Sequence, residues 1–199
     1  VSEPLTKSGC TAADLTCVAA GGGGGVWAGG TYGTLLSNST TNIDATTATP
    51  WRTIATNTTD DILDLWFLNA EDGIALFQPA GINQTELRYT NDGGEHWTVF
   101  CTEGHINALF PYQVTGTEGL LVAVGDNGQW MQLAMHAELA AGYIPHDPIP
   151  GAPHFLSVTG QFIDANPDKL PLFLGGANGE LWRCPDALAI PPVFTHTLD

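Results

Sequence analysis

Basic residues are almost missing from this sequence. Lys7, Arg52, Arg88, Lys169 and Arg183 are the five in a chain of 199 residues, set against 21 Asp and Glu, for a formal charge of −16. Affinity for phosphates comes from neutralising them with Lys and Arg, so a nucleic-acid partner is excluded. An anionic membrane surface is disfavoured for the same reason. Long apolar runs are missing as well. A stretch such as Leu170 to Leu174 is far shorter than the roughly 20 residues that cross a bilayer, so no direct membrane insertion is expected. No signal-peptide pattern opens the sequence, and its first residue is Val1, which fits removal of a leader or propeptide. Charged residues of both signs make up only 13% of the chain, about half the usual share, which leaves little material for long surface helices. Only Gln132 to Ala141, stopped by Gly142, has helical texture, so at most one short helix is expected.

Several chemical signatures are also lacking. There is no Gly-x-Ser-x-Gly nucleophile motif, and the run Gly21 to Gly25 has no Gly-Lys-Ser/Thr ending, so it reads as a tight link between strands. No paired CxxC motifs point to zinc. Asp126, Asp164 and Asp168 do not sit in an Asp-x-Asp-x-Asp-Gly loop, so calcium is not implied. His136, His146 and His154, with Asp147, flank a Pro-rich connection over 143–153, but without ligand spacing. No metal and no cofactor are expected. Asp60, Asp61 and Asp64 read as a solvated loop leading into a strand rather than a glycosidase pair.

What the chain has in quantity is glycine, 24 residues, alongside much Thr, the balance of a turn-rich β protein. A short pattern recurs. Val26 to Leu36, Leu121 to Met131 and Leu172 to Trp182 each run a hydrophobic strand into Gly-x-x-Gly and back into a strand opened by a large apolar residue. Each reads as a β-hairpin whose central turn residues lie between glycines free to take positive φ. A longer version runs from Gly73 through a turn at Gly81 to Gln84 and back to Tyr89. The first large returning residues, Leu35, Leu87, Trp130 and Leu181, give a period near 49. Strand-like segments precede the hairpins at Leu15 to Ala19, Ile62 to Leu68, Ile106 to Tyr112 and Phe155 to Ile163. Units of that length holding three or four short strands are propeller blades, each burying its sheet faces against its neighbours. The fold class is therefore all-β and propeller-like, one domain over 1–199 with repeats at roughly 10–55, 56–101, 102–142 and 154–199.

The four cysteines, Cys10, Cys17, Cys101 and Cys184, are candidate disulfide residues with three complete pairings open. An even count favours an oxidising compartment. Sequons at Asn38, Asn57 and Asn83 do not exceed chance enough to establish glycosylation.

In the second unit the returning strand continues into Thr90-Asn91-Asp92-Gly93-Gly94-Glu95-His96-Trp97. This resembles the Asp-box, Ser/Thr-x-Asp-x-Gly-x-Thr-Trp, of sialidase-like, sortilin-like and photosystem-assembly-factor-like β-propellers, departing at His96. The approach from Leu65 to Ala75 is similar to the photosystem-assembly-factor repeat. Asp92 can accept N–H bonds across the turn, Gly93 and Gly94 permit positive φ, and Trp97 can pack between sheets. The resemblance implies architecture, with Thr90, Asp92, Gly93, Gly94 and Trp97 structural and away from any ligand face. It does not imply sialidase activity, since an arginine triad would demand that Arg52, Arg88 and Arg183 converge. Four units fit either a closed four-bladed ring, similar to hemopexin-like domains with a disulfide from Cys10 or Cys17 to Cys184, or part of a larger ring.

Recognition by loops remains as the function. Tyr32, Tyr112 and Tyr143, in or near turns, are the candidate recognition residues, with the long segments Ser39 to Thr49 and Gly142 to His154. The expectation is a non-catalytic interaction or structural module, not an enzyme, in an extracellular, cell-surface or virion assembly. Its partner is expected to be a protein, the alternative being a glycan bound lectin-fashion and, behind that, a glycoside hydrolase.

Overall fold

A computed structural model describes residues 13–21, 25–38, 51–102, 104–114, 118–136, 142–160, 169–188 and 192–197. Each repeat forms a four-stranded antiparallel sheet wound in chain order. Blade 1 holds β1 (Leu15–Ala20), β2 (Val26–Gly30), β3 (Leu35–Asn38) and β4 (Arg52–Ile54). Blade 2 holds β5 (Asp61–Phe67), β6 (Asp72–Gln78), β7 (Glu86–Asn91) and β8 (Thr98–Cys101). Blade 3 holds β9 (Ile106–Val114), β10 (Glu118–Gly125), β11 (Trp130–His136) and β12 (Gly142–Pro145), and blade 4 β13 (Phe155–Gly160), β14 (Leu172–Gly176), β15 (Leu181–Cys184) and β16 (Thr195–His196).

Period-2 patterning decides these elements. Along β11, Met131, Leu133 and Met135 are buried while Gln132 and Ala134 are half-buried, so the helix expected from Gln132 is a strand as far as His136. Residues 137–141 lie outside those described. Gly142 to Pro145, expected to open the Pro-rich connection, is instead the outer strand of blade 3. Tyr143 pairs with Leu133 there, and Pro145 is tolerated because an edge strand leaves one side of its ladder unpaired.

The hairpin turns depart from expectation at one point. In Thr31–Gly33, Asp126–Gly128 and Ala177–Gly179, the residue before the last glycine has positive φ (Tyr32 57°, Asn127 55°, Asn178 64°), as does that glycine. The first glycine of the pattern is extended instead, with φ −165° at Gly30 and −156° at Gly125. Its role is close approach: a Cβ on Gly30 would stand 2.3 Å from the Asp14 carbonyl oxygen, and one on Gly125 2.1 Å from that of His105.

Three apolar seams hold the blades together. Trp27, Leu35 and Ile54 of blade 1 meet Ile62, Leu65, Phe67 and Phe77 of blade 2. Trp66, Ile74, Leu76 and Leu87 meet Leu109, Leu121, Met131 and Leu133 of blade 3. Tyr112, Val122, Val124 and Trp130 meet Phe155, Leu172 and Leu174 of blade 4. The strands β1, β5, β9 and β13 lie innermost, each packed on the next. The three seams link the blades in chain order as an arc, and among the described residues no apolar cluster joins blade 4 back to blade 1.

Every innermost strand carries an irregularity in its pairing one residue in, at Thr16, Leu63, Asn107 and Leu156. Two of these residues clamp the next blade. Thr16 Oγ1 donates to the Ile62 carbonyl, and Asn107 Nδ2 donates to the Phe155 carbonyl at 2.8 Å. In the middle seam Leu63 is apolar. There the Thr85 hydroxyl takes both sides of Ile106, accepting from its N–H at 2.7 Å and donating to its carbonyl at 3.2 Å, while Asp64 accepts the Leu109 N–H at 2.8 Å.

Candidate functional site

The hairpin turns of blades 1, 3 and 4 are pinned to the chain that enters their own blade. Thr31 N–H donates to Asp14 carbonyl, Asp126 to His105 and Ala177 to His154, each at 2.9 Å. The turns also meet the following connection: Thr56 Oγ1 donates to the Gly33 carbonyl at 2.7 Å, and Ile149 N–H to the Gly128 carbonyl at 3.0 Å. In blades 1 and 3 the hairpin and the connection to the next blade are therefore tied together.

One concavity on the hairpin face lies between the hairpins of blades 1 and 2, a groove of about 510 Å³ lined by Tyr32, Asp61, Gln78, Pro79, Ile82 and Asn83 among others. Tyr32 is 74% exposed and Ile82 50%. Their backbones are nonetheless fixed. Asp61 Oδ1 accepts the Tyr32 N–H at 2.9 Å, and Gln78 Nε2 donates to the carbonyls of Ile82 at 2.5 Å and Gln84 at 3.2 Å. An aromatic ring, an aliphatic side chain, amides and one carboxylate therefore line it.

A second groove of about 350 Å³ lies between blades 3 and 4, with Trp130, Trp182, Phe194 and four-residue chain His146 to Ile149 in its wall. Its Trp130 ring is already covered. His146 stacks on Trp130 with centroids 3.9 Å apart at 7°, and Phe194 meets the same indole edge-on at 5.2 Å. Burial against that ring pushes the His146 imidazole below its ordinary value, the nearby Asp147 charge opposing it.

The expected recognition tyrosines do not gather. Tyr32 is on the groove. Tyr112, in contrast, is buried within β9 in the seam between blades 3 and 4, and Tyr143 sits in β12 with its ring 6.3 Å from Phe100. Apolar packing claims both, because each falls on a strand face that meets a neighbouring blade. Ile82 was not singled out by the sequence; an exposed aliphatic in a turn next to Gly81, φ +78°, is the signal that marks it.

The acidic group is not a solvated loop. Asp60 pairs with Arg88 at 2.5 Å, Asp61 holds the Tyr32 turn, and Asp64 is half-buried in β5, where desolvation pushes its carboxyl up against the opposing bonds from Leu109 and Leu65. Arg88 also bridges Glu86 at 2.7 Å and lies 4.4 Å from the Phe77 centroid. Arg52, Arg88 and Arg183 fall in blades 1, 2 and 4; Arg88 is committed to Asp60 and Glu86, and Arg183 lies over Phe173. His154 pairs with Asp126 at 3.0 Å. Partial burial pushes the Asp126 carboxyl up, but the Asn107 and His154 bonds and the charges of His154 and His105 hold it below its usual value. His136's side chain, Asp164 and Asp168 lie outside the described residues.

On the opposite face, Thr90 to Trp97 forms a closed turn. Thr90 Oγ1 donates to Asp92 Oδ1 at 2.8 Å and accepts the Gly94 N–H at 3.0 Å. Asp92 accepts the His96 N–H at 3.0 Å and meets the His96 ring at 2.7 Å. Gly93 and Gly94 have φ of +77° and +97°. Trp97 Nε1 donates to the Gly94 carbonyl at 2.9 Å, and its ring meets Phe67 and Phe77 edge-on at 6.1 and 5.2 Å. Slight burial works to raise the Asp92 carboxyl, and the bonds from His96 and Thr90 with the His96 charge overcome it.

The cysteines serve the seams. Cys17, Cys101 and Cys184 each pack in a different seam, and no disulfide joins them to one another. Cys10 lies outside the described residues. Burial pushes the Cys17 thiol up to about 11, and raises that of Cys184 as well.

No protein-family model and no curated protein matches this chain. Among solved structures it is similar to the WD40 domain of SCAP from fission yeast, at 12% identity and a TM-score of 0.51, over 94% of this chain and 44% of that one. It therefore spans less than half of that chain. Two further structures are similar: YCF48 bound to D1 peptide, at 13% identity and a TM-score of 0.42 over 94% of this chain and 67% of that one, and YCF48 from Cyanidioschyzon merolae, at 14% and 0.44 over 97% and 73%. The SCAP likeness is one of fold: an all-β chain of propeller blades.

Proposed function

We propose that this chain is a non-catalytic protein-interaction module that presents its hairpin face to a protein partner in an extracellular, cell-surface or virion assembly. One observation carries the reading: the groove between blades 1 and 2 exposes Tyr32 and Ile82 on backbones that are held by side-chain hydrogen bonds. Pre-formed apolar anchors on a rigid face bind without an ordering cost. The carboxylates near the groove are committed to structure, Asp60 to Arg88 and Asp61 to the Tyr32 turn, which supports binding over catalysis. The formal charge of −16 favours a partner segment bearing Lys or Arg. In the same reading Thr90, Asp92, Gly93, Gly94 and Trp97 are an Asp-box whose task is to fold the turn behind the first seam.

Panning a random peptide display library on the immobilised chain tests this. The expected result is enrichment of peptides with a cationic residue beside an apolar one, and at least ten-fold weaker binding to the Tyr32→Ser/Ile82→Ser variant. Peptide binding indifferent to that variant overturns the reading. So does selective, saturable binding on a glycan array that Tyr32→Ser abolishes, which would make the groove a lectin site.

A further inference from the structure

The repeat makes residues of different blades comparable one by one, and the comparison shows that both ends of the arc are built as seams. Leu15, Ile62, Ile106 and Phe155 occupy the same place on the innermost strand of successive blades. In blades 2 to 4 the residue is 0%, 2% and 0% exposed beneath the preceding blade, whereas Leu15 is 55% exposed. Three residues on, Leu65 and Leu109 are 2% and 9% exposed and Val18 is 71%. Register puts Val18 on the same sheet face as Ala28 and Leu36, the face of blade 1 turned away from blade 2.

Blade 4 carries the matching half. Phe173 stands where Trp27 and Val122 stand in blades 1 and 3, three residues before the turn glycine. Those two are 1% and 0% exposed under the following blade, while Phe173 is only half-buried, its ring 5.9 Å from the Arg183 guanidinium on the same face. Leu156 occupies the place of Leu63, which packs into the middle seam, yet it is 59% exposed.

We propose that the occupant of each end is a second copy of this chain, blade 4 of one arc stacking on blade 1 of the other, so that two arcs close an eight-bladed ring about a twofold axis. The contact continues the three seams already present: Phe173 of one copy would meet the Val18 and Leu15 face of the other as Trp27 meets blade 2. A head-to-tail contact used twice leaves no end uncovered and produces a closed particle rather than a filament. It also removes both exposed apolar faces from water at once.

Native mass spectrometry and sedimentation of the 199-residue chain test this, the subunit being 21.0 kDa. A species of twice that mass is expected. Because each copy carries −16, it should tighten as salt screens the repulsion. Val18→Glu places a charge on an already exposed side chain and should weaken the dimer about 30-fold or more while leaving the melting temperature of the separated arc intact. In a Val18→Cys/Phe173→Cys variant a short bismaleimide should link copies covalently. A monomer at high protein concentration, a trimer or filament, or a dimer that Val18→Glu and Arg183→Glu both leave unchanged would each overturn the proposal.

Discussion

Asn107 of blade 3 reaches across a seam to Phe155 of blade 4, its Nδ2 donating to the backbone carbonyl at 2.8 Å while also bonding Asp126 at 2.9 Å. Thr16 does the same for Ile62 two seams earlier. Both sit at the irregular position of an innermost strand, where the extra residue is free of the ladder and can aim its side chain at the neighbour. These clamps align blade 1 with blade 2 and blade 3 with blade 4.

Asn107→Ala should therefore cost about 2 kcal/mol by leaving the Phe155 carbonyl and the Asp126 carboxylate short of a donor. Because Thr16→Val acts on a different seam, the double variant should be additive within about 0.5 kcal/mol in urea unfolding. Strong coupling between them would mean the seams do not act independently.

Asp64 should show an inverted pH signature. Its carboxyl is pushed up by burial, so the folded state holds the proton more tightly than the unfolded one, and the stability this brings is lost as pH rises from the ordinary carboxylate range through the raised value. Measured as a difference from Asp64→Asn, wild type should gain stability as pH falls through that window. Asp64→Ala at neutral pH should cost about 1–3 kcal/mol, since the Leu109 N–H loses its acceptor.

The Thr90 to Trp97 turn should respond in the opposite sense. Asp92's carboxyl is held low by His96 and Thr90, so its stabilisation is present above the ordinary carboxylate value and lost as pH falls through the lowered one. Asp92→Ala should cost about 1 kcal/mol and move the Trp97 indole N–H resonance. His96→Thr should stay within about 0.5 kcal/mol of wild type, because the imidazole lies in solvent and exposed pairs contribute little.

Two turn glycines of like φ should differ sharply. Gly33→Ala would place a Cβ 2.1 Å from the Thr58 carbonyl oxygen at φ +66°, whereas Gly179→Ala at φ +79° meets nothing within 4 Å. The second should cost about 1 kcal/mol, the ordinary penalty of the left-handed region. The first should cost about 3 kcal/mol or more, as thermal unfolding would show.

The architecture could be read from the chain because period-2 strands and a repeating Gly-x-x-Gly turn are local signals. Innermost segments at 62–68 and 106–112 were expected close to where β5 and β9 lie. The misreadings came where tertiary packing outweighs local texture. Gln132 to His136 has helix-forming residues but alternates buried and half-buried positions along a strand. Tyr112 and Tyr143 are amphipathic side chains whose ring faces a neighbouring blade, and no single-sequence pattern tells such a ring from one in a loop. Asp64 looked like its acidic neighbours, since the N–H it satisfies belongs to a strand 45 residues away.

The sulfur atoms give the fold a built-in gauge. Cys17, Cys101 and Cys184 each occupy a separate junction between blades. Cys101 and Cys184 are buried, so an alkylating reagent would gain access to either chiefly when its own junction parts, and their modification rates can rank which of those two pairs of sheets separates first, with half-buried Cys17 as the internal reference.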